Sequence, residues 1–326
     1  MAQPAIGSGF KYVLRQPSSY IALLFWILLC LVGTALTRHA PALAGHAIRS
    51  SIALVLILLM IGLAALITRK RPILDLGERA PERSIATRET ILLVLYGAAV
   101  MVIGRIVGQH LFGEGIALHL NGSLVGATRI QPPTEVFTWA AWNFTLFALI
   151  PYLVFRLRGY SNYQLNLKSA NVPNDLLVIL VVLACSAGLD MTGPNIFQLT
   201  AHQQLVGGPL AFIIHLLGTD LPIMIFIYAI LVPRYAKLFS PMTAYLLGAF
   251  TYPTMHLFES GTHYSTLLSA ALSAIFIYLG HFPAGLMKSF LTFRTGNAWV
   301  HLWAFHAISP HVTVDTRLIV HDFNIP

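Results

Sequence analysis

Nine stretches of this chain run on with hardly a charge in them, and that pattern restricts the fold more than any single residue does. A membrane-spanning helix needs about 20 mostly apolar residues. The candidates are Tyr20–Leu36, Ser51–Thr68, Thr90–Val107, Glu135–Phe155, Leu176–Asp190, Asp220–Val232 with the apolar run leading into it from Pro209, Pro241–Phe258, Ser265–Met287 and Asn297–Ser309. The fifth and ninth are short, and Gly218-Thr219-Asp220 marks a candidate break in the sixth.

Composition agrees. Of 326 residues, 56% are hydrophobic and 10% charged, with a mean hydropathy of +0.73, whereas a soluble domain carries about 25% charged residues. The expected fold is an all-α polytopic membrane protein embedded in a lipid bilayer. The net charge of +8 does not point to nucleic acid, because the basic residues lie between the apolar runs, where the positive-inside rule accounts for them. The two cysteines, Cys30 and Cys185, lie within apolar runs and allow neither a disulfide framework nor a zinc–cysteine site.

Charge also orients the chain. With the N-terminus inside, fifteen basic residues fall on inside segments, from Lys11 to Lys288 and Arg294. Four fall outside: Arg38, Arg49, Arg129 and Arg317. This predicts nine spans, a cytoplasmic N-terminus and an outside C-terminus. The small-residue stretch from Pro41 to Gly45 after the first span mimics a signal-peptide cleavage site, and the segment is read as retained. The longest outside loop, Gln109–Thr134, has room for an interfacial helix at His110–Leu120.

Ionisable groups in spans mark functional sites by default. This topology puts Asp220, His256, Glu259 and His306 at similar depth on three helices, with His263 and His311 near the outer interface. His256 and Glu259, three apart, can share a helix face. His301, His306 and His311 are five apart, a turn of about 140° on a 3.6-residue helix, and so are not expected to line one face. No HExxH zinc motif and no GxSxG nucleophile elbow occurs.

Several pieces of the second half, taken in order, resemble the CAAX-protease and bacteriocin-processing (CPBP, or Abi) family of intramembrane proteases. Arg156-Leu-Arg-Gly-Tyr-Ser-Asn-Tyr-Gln-Leu-Asn-Leu167 is similar to the family's basic linker. Leu231-Val-Pro-Arg-Tyr235 and Ser240-Pro-Met-Thr-Ala-Tyr245 resemble the stretch after its first motif. Phe250-Thr-Tyr-Pro-Thr-Met-His256 resembles the second motif, and Arg294-Thr-Gly-Asn-Ala-Trp299 through His306 the third. The likeness covers roughly residues 150–312.

The resemblance implies a helical protease core over 135–315, preceded by an extension of three spans over 1–134 and followed by a tail over 316–326. It implies catalysis by a Glu-Glu pair, an arginine, two histidines and an asparagine. Here the positions of the glutamates, the arginine and the asparagine hold Ile223, Met224, Tyr228 and Pro310. His256 and His306 remain, and Asp220 or Glu259 is the candidate base. The favoured reading is therefore a degenerate pseudo-protease, a binding or scaffold subunit of a membrane complex in a bacterial inner membrane. The alternatives are an active endopeptidase with altered catalytic groups, acting on a membrane-embedded peptide, and a subunit whose histidines ligate haem or a chlorophyll-type pigment.

Overall fold

The structure, a computed structural model, describes residues 15–36, 42–113, 118, 132–259 and 262–326, and for 42–44 the backbone alone. Lys11, Arg38, Arg129, Pro41 and the loop beyond Gly113, including most of the expected interfacial helix, lie outside the described residues. The structure is 80% helical, with no strand among the described residues.

Among the described residues, seven helices are long and apolar enough to cross a membrane. They are α1 (Pro17–Ala35), α2 (Ala42–Ile67, its apolar span running Gly45–Ile67), α3 (Arg83–Phe112), α4 (Pro133–Leu157), α5 (Val172–Asp190), α6 (Ala201–Leu238) and α8 (Leu267–Thr295). Leucines and isoleucines cover their outer faces, such as Ile21, Leu59 and Leu95, each more than 60% exposed. Apolar surface of that extent belongs against lipid. The chain is an all-α polytopic membrane protein.

Among the described residues the expected count of nine is not reproduced. The stretch Pro241–Phe258 forms only α7 (Pro241–Thr254), 14 residues and about 21 Å long. The stretch Asn297–Ser309 forms α9 (Ala298–His301), which continues as π-helix over Leu302–His306. A second π-helical stretch, Ser309–Val314, and a short α10 (Thr316–Asp322) follow. Pro253 and Pro310 stand near the points where α7 and the α9 segment break off. A proline lacks the N–H that would continue the ladder. Both segments therefore end inside the bundle, and the turns after them are buried.

The helix at the centre is α6. From Ile223 to Val232 every side chain is buried, so neighbours surround it on all sides. It does not break at Gly218–Asp220 but winds through two π-helical stretches, Leu216–Asp220 and Met224–Leu231. Pro222 cannot donate to the carbonyl of Gly218 four residues back, and Asn143 Nδ2 on α4 donates to that oxygen instead, at 3.0 Å. In an apolar environment a released carbonyl needs such a partner.

One end of the bundle is tied by charge. Arg234 in the Val-Pro-Arg-Tyr segment donates to Glu89 on α3 at 2.8 Å. Arg158 and Tyr160 from the basic linker reach the same carboxylate at 2.6 and 2.9 Å. Burial, followed by the Glu89 hydrogen bond, pushes the Tyr160 phenol above its ordinary value, so it stays a donor. Arg71 pairs with Asp175 at 2.5 Å, and Asn297 Nδ2 donates to the other oxygen of Asp175 at 2.9 Å.

The Arg294–Asn297 stretch is a joint within this network. Gly296 caps α8 in the left-handed region at φ +63°, and Asn297 caps α9 by accepting from Trp299 N. Arg294 clamps the carbonyls of Thr68 and Arg71 beyond α2. Lys288 does not belong to this end, contrary to the charge tally. It lies inside α8, and its side chain is fully buried.

Two outcomes test the packing by thermal unfolding in detergent. A Cβ at Gly285 would sit 2.3 Å from the carbonyl of Ala249, where α7 and α8 cross. Gly285→Val is expected to cost about 3 kcal/mol or more, whereas Gly62→Ala, with nothing within 4 Å, should be neutral. Glu89→Gln strips the buried Arg234 of its counter-charge and should cost about 3–5 kcal/mol.

Candidate functional site

The buried ends of α7 and α9 meet the π-helical middle of α6, and ionisable side chains collect there. Asp220 closes the first π-helical stretch of α6 and is fully buried. His306 Nδ1 stands 3.2 Å from Asp220 Oδ1, and His311 Nε2 stands 3.4 Å from the same oxygen. None of these three atoms makes a hydrogen bond of acceptable geometry to any protein group. Asp220, His306 and His311 each offer one ligand atom within 4.8 Å of the others, as metal ligands do.

The five-residue spacing of the histidines is used here, against the expectation from α-helical geometry. Around them two π-helical stretches, Leu302–His306 and Ser309–Val314, flank a turn at 307–308, with Ala307 N donating to Leu302 O, Thr313 N to Ile308 O and Asp315 N to Pro310 O, each five residues back. The wider winding and the turn between bring these two, five residues apart, to the same side, and the rings of His306 and His311 come to 5.2 Å between centroids.

His311 bridges to a second carboxylate. Its Nδ1 lies 2.8 Å from Asp315 Oδ2, four residues on. A carboxylate only accepts, so Nδ1 carries the proton and Nε2 presents a lone pair towards Asp220. On the far side of Asp315, His215 donates Nδ1–H to the carbonyl of Ala211 at 2.8 Å and turns Nε2 to Asp315 Oδ2 at 3.3 Å. His215 Nε2 makes no hydrogen bond there.

The other predicted residues take a different arrangement. His256 and Glu259 do not share a helix face, because α7 ends at Thr254 and both lie in or beyond the turn that follows. Glu259 pairs with His281 of α8 at 2.6 Å. His256 stacks 4.6 Å from that His281 ring, gives its Nδ1 proton to Tyr252 O at 2.7 Å, and has no partner for Nε2. Tyr252 links the two groups, with its ring 4.5 Å from His256 and 6.1 Å from His306. Of the four residues picked from sequence, Asp220 and His306 come together directly, His256 joins them through Tyr252, and Glu259 belongs to a separate ion pair.

The sequence reading missed His215, His281, Asp315 and Lys288, and placed His311 at the interface although it is fully buried. The signal was present. His215, His281 and Lys288 each interrupt an apolar run, and His311 and Asp315 have the i, i+4 spacing of a helical pair. His263, by contrast, is exposed, as its interfacial placement implies.

Lys288 Nζ sits 3.6 Å above the centre of the Tyr252 ring and has no hydrogen-bond partner. Ile223, Met224 and Tyr228, the positions that the resemblance assigns to two glutamates and an arginine, are wholly buried, with the Tyr228 ring 4.3 Å from that of His301 and tilted to it. Beside the cluster lies a cavity of about 420 Å³. Lys288, His306 and His311 form part of one wall, Leu56 and Met60 of α2 part of another, and Asp190, accepting from Ser309 at 2.5 Å, lies at its side.

Compared with family models, curated proteins and solved structures, the chain finds no match.

A carboxylate buried without a hydrogen-bond donor costs stability. In protein freed of metal ions by chelation, Asp220→Asn is expected to raise the unfolding midpoint by a few degrees. A lowered midpoint would show that the carboxylate has a compensating partner within the fold.

Proposed function

We propose that the chain is an integral-membrane hydrolase, an intramembrane endopeptidase of CPBP-like architecture with a rebuilt reaction centre. The observation that carries this reading is the placement of Asp220 and His306, 3.2 Å apart and buried, beside a cavity large enough for part of a substrate segment. On this reading the base has moved one turn along α6, from the positions of Ile223 and Met224 to Asp220. Asp220 takes the proton of a water entering from the cavity and passes it to His306 Nδ1, 3.2 Å away, and His306 releases its Nε2 proton to the leaving amine. Lys288, free of hydrogen bonds, balances the charge on the tetrahedral oxyanion. Leu56 and Met60 suit an apolar segment presented from the lipid. The protein sits in a bacterial inner membrane with its basic end and N-terminus in the cytoplasm, a placement supported by the positive charge of the loops at that end.

A second reading is favoured by one observation. Ile223 and Met224 fill the glutamate positions with buried apolar side chains, so the family's own chemistry is absent and the chain is a pseudo-protease scaffold in a membrane complex.

Cleavage decides between them. The full chain in proteoliposomes, given fluorescent transmembrane peptides, should produce new termini. Removing a general base lowers rates by about 10²–10⁴, so Asp220→Asn and His306→Ala should lose at least about 100-fold in rate, with His263→Ala unchanged. Products that persist in Asp220→Asn overturn the assignment. No products, with a stoichiometric membrane partner recovered in mild detergent, establishes the scaffold. A Soret or near-infrared band in pure protein would support the pigment reading instead, and colourless protein counts against it.

A further inference from the structure

The three converging donors resemble a hydrogen-bonded cluster in composition but not in geometry. A His–Asp hydrogen bond directs an N–H along an oxygen lone pair, as His311 Nδ1 does towards Asp315 at 2.8 Å. His306 Nδ1 and His311 Nε2 instead both stand off the same oxygen of Asp220, at 3.2 and 3.4 Å, and none of the three atoms is hydrogen-bonded. In a tetrahedral zinc site, bonds of ~2.0–2.1 Å set the ligand atoms about 3.3–3.4 Å apart along each edge. The two edges that meet at Asp220 already have that length. The third pair lies within 4.8 Å, so a small rotation of one imidazole closes the set.

We infer that Asp220, His306 and His311 bind one divalent transition-metal cation of the zinc class. Two imidazoles and one carboxylate are borderline donors that suit zinc, and in hydrolytic sites such a set leaves one position open. Asp315 supports the site from behind. It accepts the Nδ1 proton of His311 and so fixes the tautomer that offers Nε2 to the metal, the usual arrangement around a ligating histidine. His215, His311 and Asp315 form an alternative set within the same 4.8 Å limit. That set already spends its shortest contact on the His311–Asp315 hydrogen bond, so its atoms are not all available as ligands.

Charge points the same way. Asp220 and Asp315, when ionised, bring two negative charges into a buried cluster, and Lys288 brings one positive charge. A divalent cation carrying an ionised water makes the sum zero. The cavity bordered by His306 and His311 provides the way in. The inference deepens the hydrolase reading and reassigns roles within it: with Asp220 and His306 as ligands, the metal would supply the attacking hydroxide in place of Asp220 acting as base; it is tested by binding alone.

The test uses the full chain in detergent, with any affinity tag cleaved, stripped with EDTA and titrated with Zn²⁺ against a chromophoric chelator and, separately, with Co²⁺. The expected result is one tight equivalent, with Co²⁺ giving the intense visible bands of a four-coordinate ion. Asp220→Asn and His306→Ala should weaken binding at least 100-fold, and Asp315→Asn about 10–100-fold, while His263→Ala leaves it unchanged. The wild-type cobalt spectrum does not depend on how the variants fold. Absence of a tight equivalent, a weak six-coordinate cobalt spectrum, or binding unaffected by Asp220→Asn overturns the site. Cleavage by metal-free protein that takes up no zinc would end this inference and leave the hydrolase intact. One bound equivalent with no cleavage would do the reverse.

Discussion

Inside an apolar bundle a backbone carbonyl without a partner costs several kcal/mol, and a proline within a helix, such as Pro222, leaves the carbonyl four residues before it without its usual donor. The chain meets this demand in two ways. A side chain reaches across, as Asn143 does to Gly218, or the helix rewinds to five-residue hydrogen bonds, as it does over Leu302–His306 and Ser309–Val314 on either side of a turn next to Pro310. The second response has a chemical consequence. It places His306 and His311 on one side of the backbone and turns both towards Asp220. Without the rewinding, residues five apart would diverge by about 140° and the cluster would not exist.

The bundle divides its polar groups between two tasks. At the basic end, Arg71, Arg79, Arg158, Arg234 and Arg294 are matched to carboxylates, carbonyls or amides, and their role is to hold loops and helix ends together. In the middle, Asp220, His256, His306 and Lys288 keep atoms that no protein group satisfies. Unsatisfied buried groups lower stability, and such strain is commonly held where a site needs it. The stretch Arg294–His306 crosses this divide. Its first four residues are a capped joint between α8 and α9, and its last histidine belongs to the cluster.

Much of the fold could be read from the apolar runs, and part of the site from the rule that ionisable residues in spans are not idle. Asp220, His256 and His306 were found that way. Lys288 was misread because its neighbours in sequence, Ser289 and the basic Arg294, suggest a helix end, whereas α8 continues to Thr295. Glu259 was misread because helical spacing was carried past Thr254, beyond which the chain turns. His311 was misread because nine full spans would have brought it to the interface, whereas the short α9 segment leaves it buried.

Composition by itself determined that this chain lives in a membrane as helices, since apolar runs of this length have no other way to satisfy their backbone in lipid. It also determined which rare side chains had to be accommodated there. Which of them meet was decided only by the tertiary structure. Helix winding, helix length and the crossing of α6 with the ends of α7 and α9 set distances of a few ångströms. Those quantities depend on which carbonyls find partners in neighbouring helices, and that information lies in no local stretch of sequence.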